Sequence, residues 1–213
     1  MSPASDPEEP QVTGQDGCMN LPTTTSGSGV AVLLAAGAGT RFDGPTHKLL
    51  APLGRRTVLE SALAAVRAAR FSSIVVVTGA VEIPPSYLDD PTIVVRHNPD
   101  WARGQATSIS VGLHAVAELG SHVAVIGLAD QPFVTATAWR DVARTESPIA
   151  VATYDGIRGN PVRLEAEVWP LLPTTGDVGA RELMRLRPEL VREVACDGSA
   201  ADIDTQEDLN PWT

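Results

Sequence analysis

With 213 residues, 43% of them hydrophobic and 20% charged, the chain is long enough for one domain with a sizeable core. Its formal net charge of −10 argues against generic binding to nucleic acid or to anionic membranes, which needs basic patches. Aromatic residues make up only 4%, which leaves little for a base-stacking platform, so any anionic ligand must be held by a local cationic cluster.

Residues 1–28 are rich in Ser, Thr, Pro, Gly and acids, contain no Lys or Arg, and show no hydrophobic period. They are expected to form a disordered acidic tail, lacking the basic and apolar regions of a signal peptide. Ordered structure is expected over 29–213. "VAVLLAA" from Val30 reads as a strand buried on both faces, and "TVLESALAAVRAAR" as an amphipathic helix opened by a capping box of Thr57 and Glu60. "SIVVVTG" and "TIVVRHN" read as a second and third buried strand, followed by a helix over 104–119. "HVAVIGLAD" is a further apolar strand ending at Asp130, with a helix around "TATAWRDVART" after it. "PIAVATYDG" is a strand, "GNPVRL" a short one, "VGARELMRLRP" a helix and "LVREVAC" a last strand before "ADIDTQEDL". Continuous Val/Ile strands alternating with helices predict a largely parallel sheet covered on both faces, with ligands bound beyond the carboxyl ends of the strands. No apolar run is long enough to span a membrane. Cys18 and Cys196 lie far apart without a CxxC, so reduced thiols in a cytoplasmic protein are expected.

The loop after the first strand, "AAGAGTRFDGPTHK", fails two common phosphate motifs on spacing. After Gly37 and Gly39 the next glycine is Gly44, which breaks GxGxxG. Lys48 lies between His47 and Leu49, which breaks the GxxxxGK[ST] pattern. What remains is a glycine turn whose backbone N–H groups can approach phosphate oxygens, with Arg41 able to fork onto two of them. Lys48 is the only lysine among the 16 Lys and Arg residues, and a lysine is a compact point charge rather than a planar fork. Asp130, at the end of the strongest strand, is placed for a Mg²⁺ that bridges protein and phosphates, although a turn or capping role explains such an aspartate equally well. Asp202 and Asp204 offer a second acidic site, with Asp204 also readable as a helix cap. The histidines are scattered without metal-ligand spacing, and there is no GxSxG elbow.

Taken together, "VLLAAGAGTRF…HKLLAPL", "NPDWARGQATSISVGL", "GLADQPFV", "GNPV", "GDVGAR" and "DIDTQEDL" resemble, in order, the motifs of the MobA-like nucleotidyltransferases. LAAG and "DQP" are most similar to the molybdenum cofactor cytidylyltransferase branch. The resemblance implies a single Rossmann-like α/β/α domain of three layers with a mostly parallel mixed sheet. It implies transfer of CMP from CTP to the terminal phosphate of molybdopterin, with Mg²⁺ as cofactor and a molybdenum hydroxylase as possible recipient of the product. On the same ground Leu34, Ala35, Ala36, Gly37 and Gly39 would hold base and triphosphate, Arg41 the outer phosphates and Lys48 the α-phosphate. Thr78, Gly79, Asn98, Gly104 and Ser108 would line the nucleoside pocket. Asp130 and Asp204 would bind the metal, and Arg181 the acceptor. The segment between Arg41 and Lys48 is longer than in the compact family pattern, so it must bulge. The alternatives are a relative that uses GTP or a sugar or lactyl phosphate, and a non-catalytic protein that holds nucleotide or cofactor during maturation.

Overall fold

The computed structural model describes Met1 and residues 29–212. Apart from Met1, the expectation for the tail falls outside the described residues, as does Cys18. Along the chain the elements are β1 (Val30–Ala35), a short 3-10 turn (Lys48–Leu50), β2 (Pro52–Leu53), β3 (Arg56–Thr57), α1 (Val58–Ala69), β4 (Ile74–Thr78), α2 (Pro85–Leu88) and β5 (Ile93–His97). They continue with α3 (Gln105–Glu118), β6 (Val123–Leu128), α4 (Ala136–Arg144), β7 (Ile149–Tyr154), β8 (Ile157–Glu165), α5 (Arg181–Leu186) and β9 (Val191–Ala195).

Seven strands form one mixed sheet in the order β5-β4-β1-β6-β8-β7-β9, while β2 and β3 make a separate hairpin. Only β8 runs antiparallel to its sheet neighbours, β6 and β7. All six residues of β1 are buried because both faces of the sheet are covered. Ala31, Leu33 and Ala35 face the core packed by α1 and α4, whereas Val30, Val32 and Leu34 face that packed by α3. This is the Rossmann-like three-layer arrangement. The chain leaves β1 through α1 to β4 on one side, and later crosses through α3 to β6 on the other. The β1/β6 boundary is therefore the topological switch point, where a crevice opens at the carboxyl ends. Ala129 N–H donates to the Leu34 carbonyl (3.0 Å) and holds the two exits side by side.

The capping box at α1 is formed: Thr57 Oγ1 accepts the Glu60 N–H at 3.2 Å and the Glu60 carboxylate accepts the Thr57 N–H at 2.7 Å. Two strand expectations need correction. "TIVVRHN" is no buried central strand: β5 pairs only with β4 at the sheet edge, and Val95 is 41% exposed. "GNPVRL" is part of a nine-residue strand, β8, joined to β7 by Asp155–Gly156 with φ of 51° and 79°. Asp-Gly suits this two-residue turn because both central residues need positive φ.

Candidate active site

The glycine loop leaves β1 at Ala35 and ends at the 3-10 turn that carries Lys48. His47 ties these ends together. Its Nδ1 accepts the Leu49 N–H (3.2 Å) and its Nε2 lies 3.1 Å from the Gly37 carbonyl oxygen. Since Nδ1 accepts, Nε2 is assigned the proton and donates to Gly37, which is the neutral imidazole. Burial draws the His47 pKa below its ordinary value, and the Lys48 charge acts in the same direction.

Lys48 is 8% exposed. Its Nζ donates to Asp130 Oδ2 (2.6 Å) and to Asp204 Oδ1 (2.9 Å). Arg41, on the exposed side of the loop, pairs with the other oxygen of Asp204, Oδ2, at 2.9 Å. Burial alone would lower the Lys48 pKa, but the charge of Asp130 and the hydrogen bonds to both carboxylates outweigh it and raise it. Asp130 reaches this point because it lies two residues past β6, which ends at Leu128. Asp204 arrives on a C-terminal strap. Val134 bridges to Gly198, Ser199 N–H donates to the Phe133 carbonyl (3.3 Å) and Ile203 N–H to the Asp130 carbonyl (2.9 Å). The Asp208 carboxylate then accepts the backbone N–H groups of Asp204 (2.9 Å) and Thr205 (2.7 Å). Gln206 Nε2 donates to the Asp43 carbonyl (2.6 Å), which pins the long Arg41–Lys48 segment to the same strap.

Two cavities meet at Leu34. The smaller, about 340 Å³, is lined by the glycine loop together with Arg41, Lys48, Asp130, Asp177 and Asp204. The larger, about 590 Å³, has apolar walls including Ile109, Ile126, Val162 and Met184, with Arg181 and Asp202 among its polar residues. Gln131 organises that polar side. Its Nε2 donates to Asp202 Oδ1 (2.8 Å) and to the Ala200 carbonyl (2.9 Å), and its Oε1 accepts from Asn160 Nδ2 (3.1 Å). Asp202 opens to the cavity on one side; lost water contact on the other, with Asp130 nearby, pushes its carboxyl above the usual range. The "GDVGAR" segment borders both cavities. Gly176 bonds Arg103 and Ala106 through its backbone, and Asp177 Oδ1 accepts the Gln105 N–H (3.0 Å) at the start of α3.

Of the residues expected from sequence, Leu34, Ala35, Gly37, Gly39, Arg41, Lys48, Asp130 and Asp204 line the smaller cavity, and Arg181 the larger. Ala36 is buried, with its carbonyl accepting the Ala80 N–H (3.0 Å). Thr78, Gly79, Asn98, Gly104 and Ser108 stand outside the walls of both cavities. Asn98 is 1% exposed, and its Nδ2 donates to Thr107 Oγ1 and Ser108 Oγ, both at 2.9 Å. A Cβ on Gly79 would lie 2.7 Å from the Ala36 carbonyl oxygen, and one on Gly104 2.5 Å from Gly176. Asn98 thereby ties the exit of β5 to α3, and the two glycines allow close backbone approach beside the site. Asp177 and Gln131 lie within quoted motifs without standing out in them, and His47 stands beside the glycine loop in sequence, with a surface or core role expected over a direct one.

Among the described residues no cluster of three or more His, Cys, Asp and Glu forms a ready-made metal shell. Asp130 and Asp204 do bring two carboxylate oxygens to within 3 Å of one point, the Lys48 nitrogen. Hard oxygen donors converging on one position fit Mg²⁺, which is commonly held by one or two carboxylates with waters and substrate phosphates.

Residues 31–194 match the MobA-like NTP transferase domain family. The chain is 32% identical over 209 residues to nicotine blue oxidoreductase of Paenarthrobacter nicotinovorans, covering 91% of this chain and 98% of the relative. It is 27% identical over 194 residues to purine catabolism protein PucB of Bacillus subtilis (85% and 94% covered). It is 27% identical over 135 residues to the molybdenum cofactor cytidylyltransferase of Escherichia coli (62% and 67%). Among solved structures, Rv0371c of Mycobacterium tuberculosis superposes with a TM-score of 0.72 at 29% identity, covering 86% of this chain and 96% of that one. A manganese complex of the same protein superposes with a TM-score of 0.64 at 26% identity, with the same coverage. The chain belongs to the MobA-like NTP transferase domain family and is a nucleotidyltransferase of that family.

Proposed function

We propose that the protein transfers CMP from CTP to the terminal phosphate of a molybdopterin-type acceptor and releases pyrophosphate. The observation that carries the reading is Lys48, buried between Asp130 and Asp204 where a glycine-loop cavity adjoins a larger one of mixed apolar and polar lining. The smaller cavity suits a triphosphate and the larger a ring system with a polar edge. The name of the Escherichia coli relative supports the choice of nucleotide and acceptor. The redox name of the Paenarthrobacter relative is not carried over, because the loop after β1 lacks the third glycine of the dinucleotide fingerprint.

An acceptor phosphate has a second pKa of about 6, so at neutral pH it is largely a dianion and needs little help from a base. Its oxygen attacks the α-phosphorus, and the bond from that phosphorus to the pyrophosphate oxygen breaks. Lys48 and Arg41 neutralise phosphate charge, and backbone N–H groups of the glycine loop orient the oxygens. Mg²⁺ held by Asp130 and Asp204 would add charge neutralisation and a template for the phosphate oxygens. Arg181 and Asp202 line the acceptor side. A molybdenum hydroxylase is the proposed recipient of the product. Pyrophosphate release from CTP is expected only with molybdopterin present, and Lys48→Met or Asp130→Asn should lower it by about 10²–10³-fold with circular dichroism unchanged. Turnover with GTP or a sugar phosphate but none with CTP would overturn the substrate. Activity surviving both substitutions would overturn the site, and binding without any turnover would favour a cofactor-holding maturation protein.

A further inference from the structure

We propose that Lys48 is a built-in counter-ion that makes binding of the divalent cation and of the triphosphate mutually dependent. The Lys48 ammonium competes with the cation for Asp130 and Asp204 until phosphate oxygens draw it away. The position of the cation rests on the function proposed above.

Three of the four carboxylate oxygens of Asp130 and Asp204 are already engaged. Asp130 Oδ2 and Asp204 Oδ1 sit on the Lys48 ammonium, and Asp204 Oδ2 sits on Arg41. Lys48 is 8% exposed on a 3-10 turn capped by His47, and its ammonium is held on both carboxylates rather than in solvent. Lys48 and Arg41 cancel the formal charges of Asp130 and Asp204, which leaves Asp177, among the described residues, as the one uncompensated charge on the cavity wall, a weak attraction for a cation and none for a triphosphate arriving alone. A cation alone would also meet a like charge within hydrogen-bond distance of both its ligands, which costs affinity.

A metal–triphosphate pair removes both obstacles in one exchange. The carboxylates trade the ammonium and guanidinium for the metal, and those two cations trade carboxylates for phosphate oxygens. Each charged group exchanges one oppositely charged partner for another, so none is left unpaired. Such an exchange is a coupling free energy between two ligands, so each must raise the affinity of the other by the same factor. The site thereby selects the metal–nucleotide complex over either component.

Mn²⁺ provides the probe, with the free ion measured by electron paramagnetic resonance on the full chain. Lys48→Met should bind Mn²⁺ without nucleotide about 10-fold more tightly than the wild-type chain, within the usual 5–150-fold range of such couplings. Arg41→Met, at an exposed position, should tighten it by a smaller factor, and Lys48→Arg should leave it weak. In the wild-type chain CTP should tighten Mn²⁺ by a similar factor beyond what CTP chelates without protein, and Lys48→Met should shrink that gain. Mn²⁺ binding no tighter in Lys48→Met and Arg41→Met than in wild type would overturn the proposal. So would CTP that binds without changing the Mn²⁺ affinity. If CTP does not bind at all, the substrate reading falls, while the nucleotide-free Mn²⁺ comparison still decides this inference. Should Lys48→Met fail to fold, Arg41→Met carries that comparison.

Discussion

His47 shows how one side chain can join two parts of a phosphate-binding loop. Both ring nitrogens are occupied, one accepting from Leu49 and the other on Gly37. Protonation would put a second N–H opposite the Leu49 N–H and break the cap. Because the folded pKa is lowered, the unfolded chain takes up a proton first as pH falls. The contribution is therefore complete above about pH 6.5 and declines as pH drops through the ordinary histidine value towards the lower folded one. His47→Asn keeps an acceptor for Leu49 but does not titrate. The melting temperature of the wild-type chain should fall relative to this variant between about pH 7 and 5.5. Parallel profiles would show that the imidazole has no such role. The histidine is plain in the sequence, yet its partners are visible only once the loop is folded, since Gly37 lies ten residues away.

At the scale of elements, local chemistry and tertiary packing can be separated. The Thr57 cap is a local device, and Thr57→Ala should destabilise the chain by about 1 kcal/mol in urea unfolding with activity nearly unchanged. Gly79 is a packing device between the end of β4 and the glycine loop. Its Cβ would meet the Ala36 carbonyl oxygen at 2.7 Å and both Ala36 Cβ and Trp101 Cβ at 2.8 Å. Gly79→Ala should cost about 1–3 kcal/mol as the backbone gives way. It should also weaken nucleotide binding, because Ala36 belongs to the loop. Equal nucleotide affinity in the two chains would mean that the loop absorbs the strain elsewhere. The capping box was legible at i to i+3 spacing. The Gly79 contact was not, because it joins residues 43 positions apart.

Across the whole molecule, the C-terminal strap completes the site. Ile203 is 1% exposed, and its N–H bonds the Asp130 carbonyl one residue before Asp204 meets Lys48. Packing of Ile203 and electrostatics of Asp204 are thus coupled through one peptide unit. Ile203→Ala should cost about 2–5 kcal/mol of stability. Under conditions where the variant remains folded, it should also lose turnover, because Asp204 is no longer held. Full activity in a folded Ile203→Ala chain would show that Asp208 and Gln206 suffice to hold the turn.

The sequence alone determined what depends on local pattern. Apolar runs marked the strands, helix periodicity marked α1 and α3, and the glycine turn with Arg41, Lys48 and Asp130 marked the cationic crevice and its acids. These follow from steric and hydrophobic preferences that act over a few residues. Strand rank escaped it: β5 and the central strands carry similar Val-rich runs, and sheet position is decided by which neighbours pack on them. So did the choice between Asp202 and Asp204 for contact with Lys48, which lies 156 positions from Asp204. Two aspartates separated by one isoleucine look alike in sequence. Burial of Ile203 and the backbone bond to Asp130 turn one towards Gln131 and the larger cavity, and the other onto the lysine.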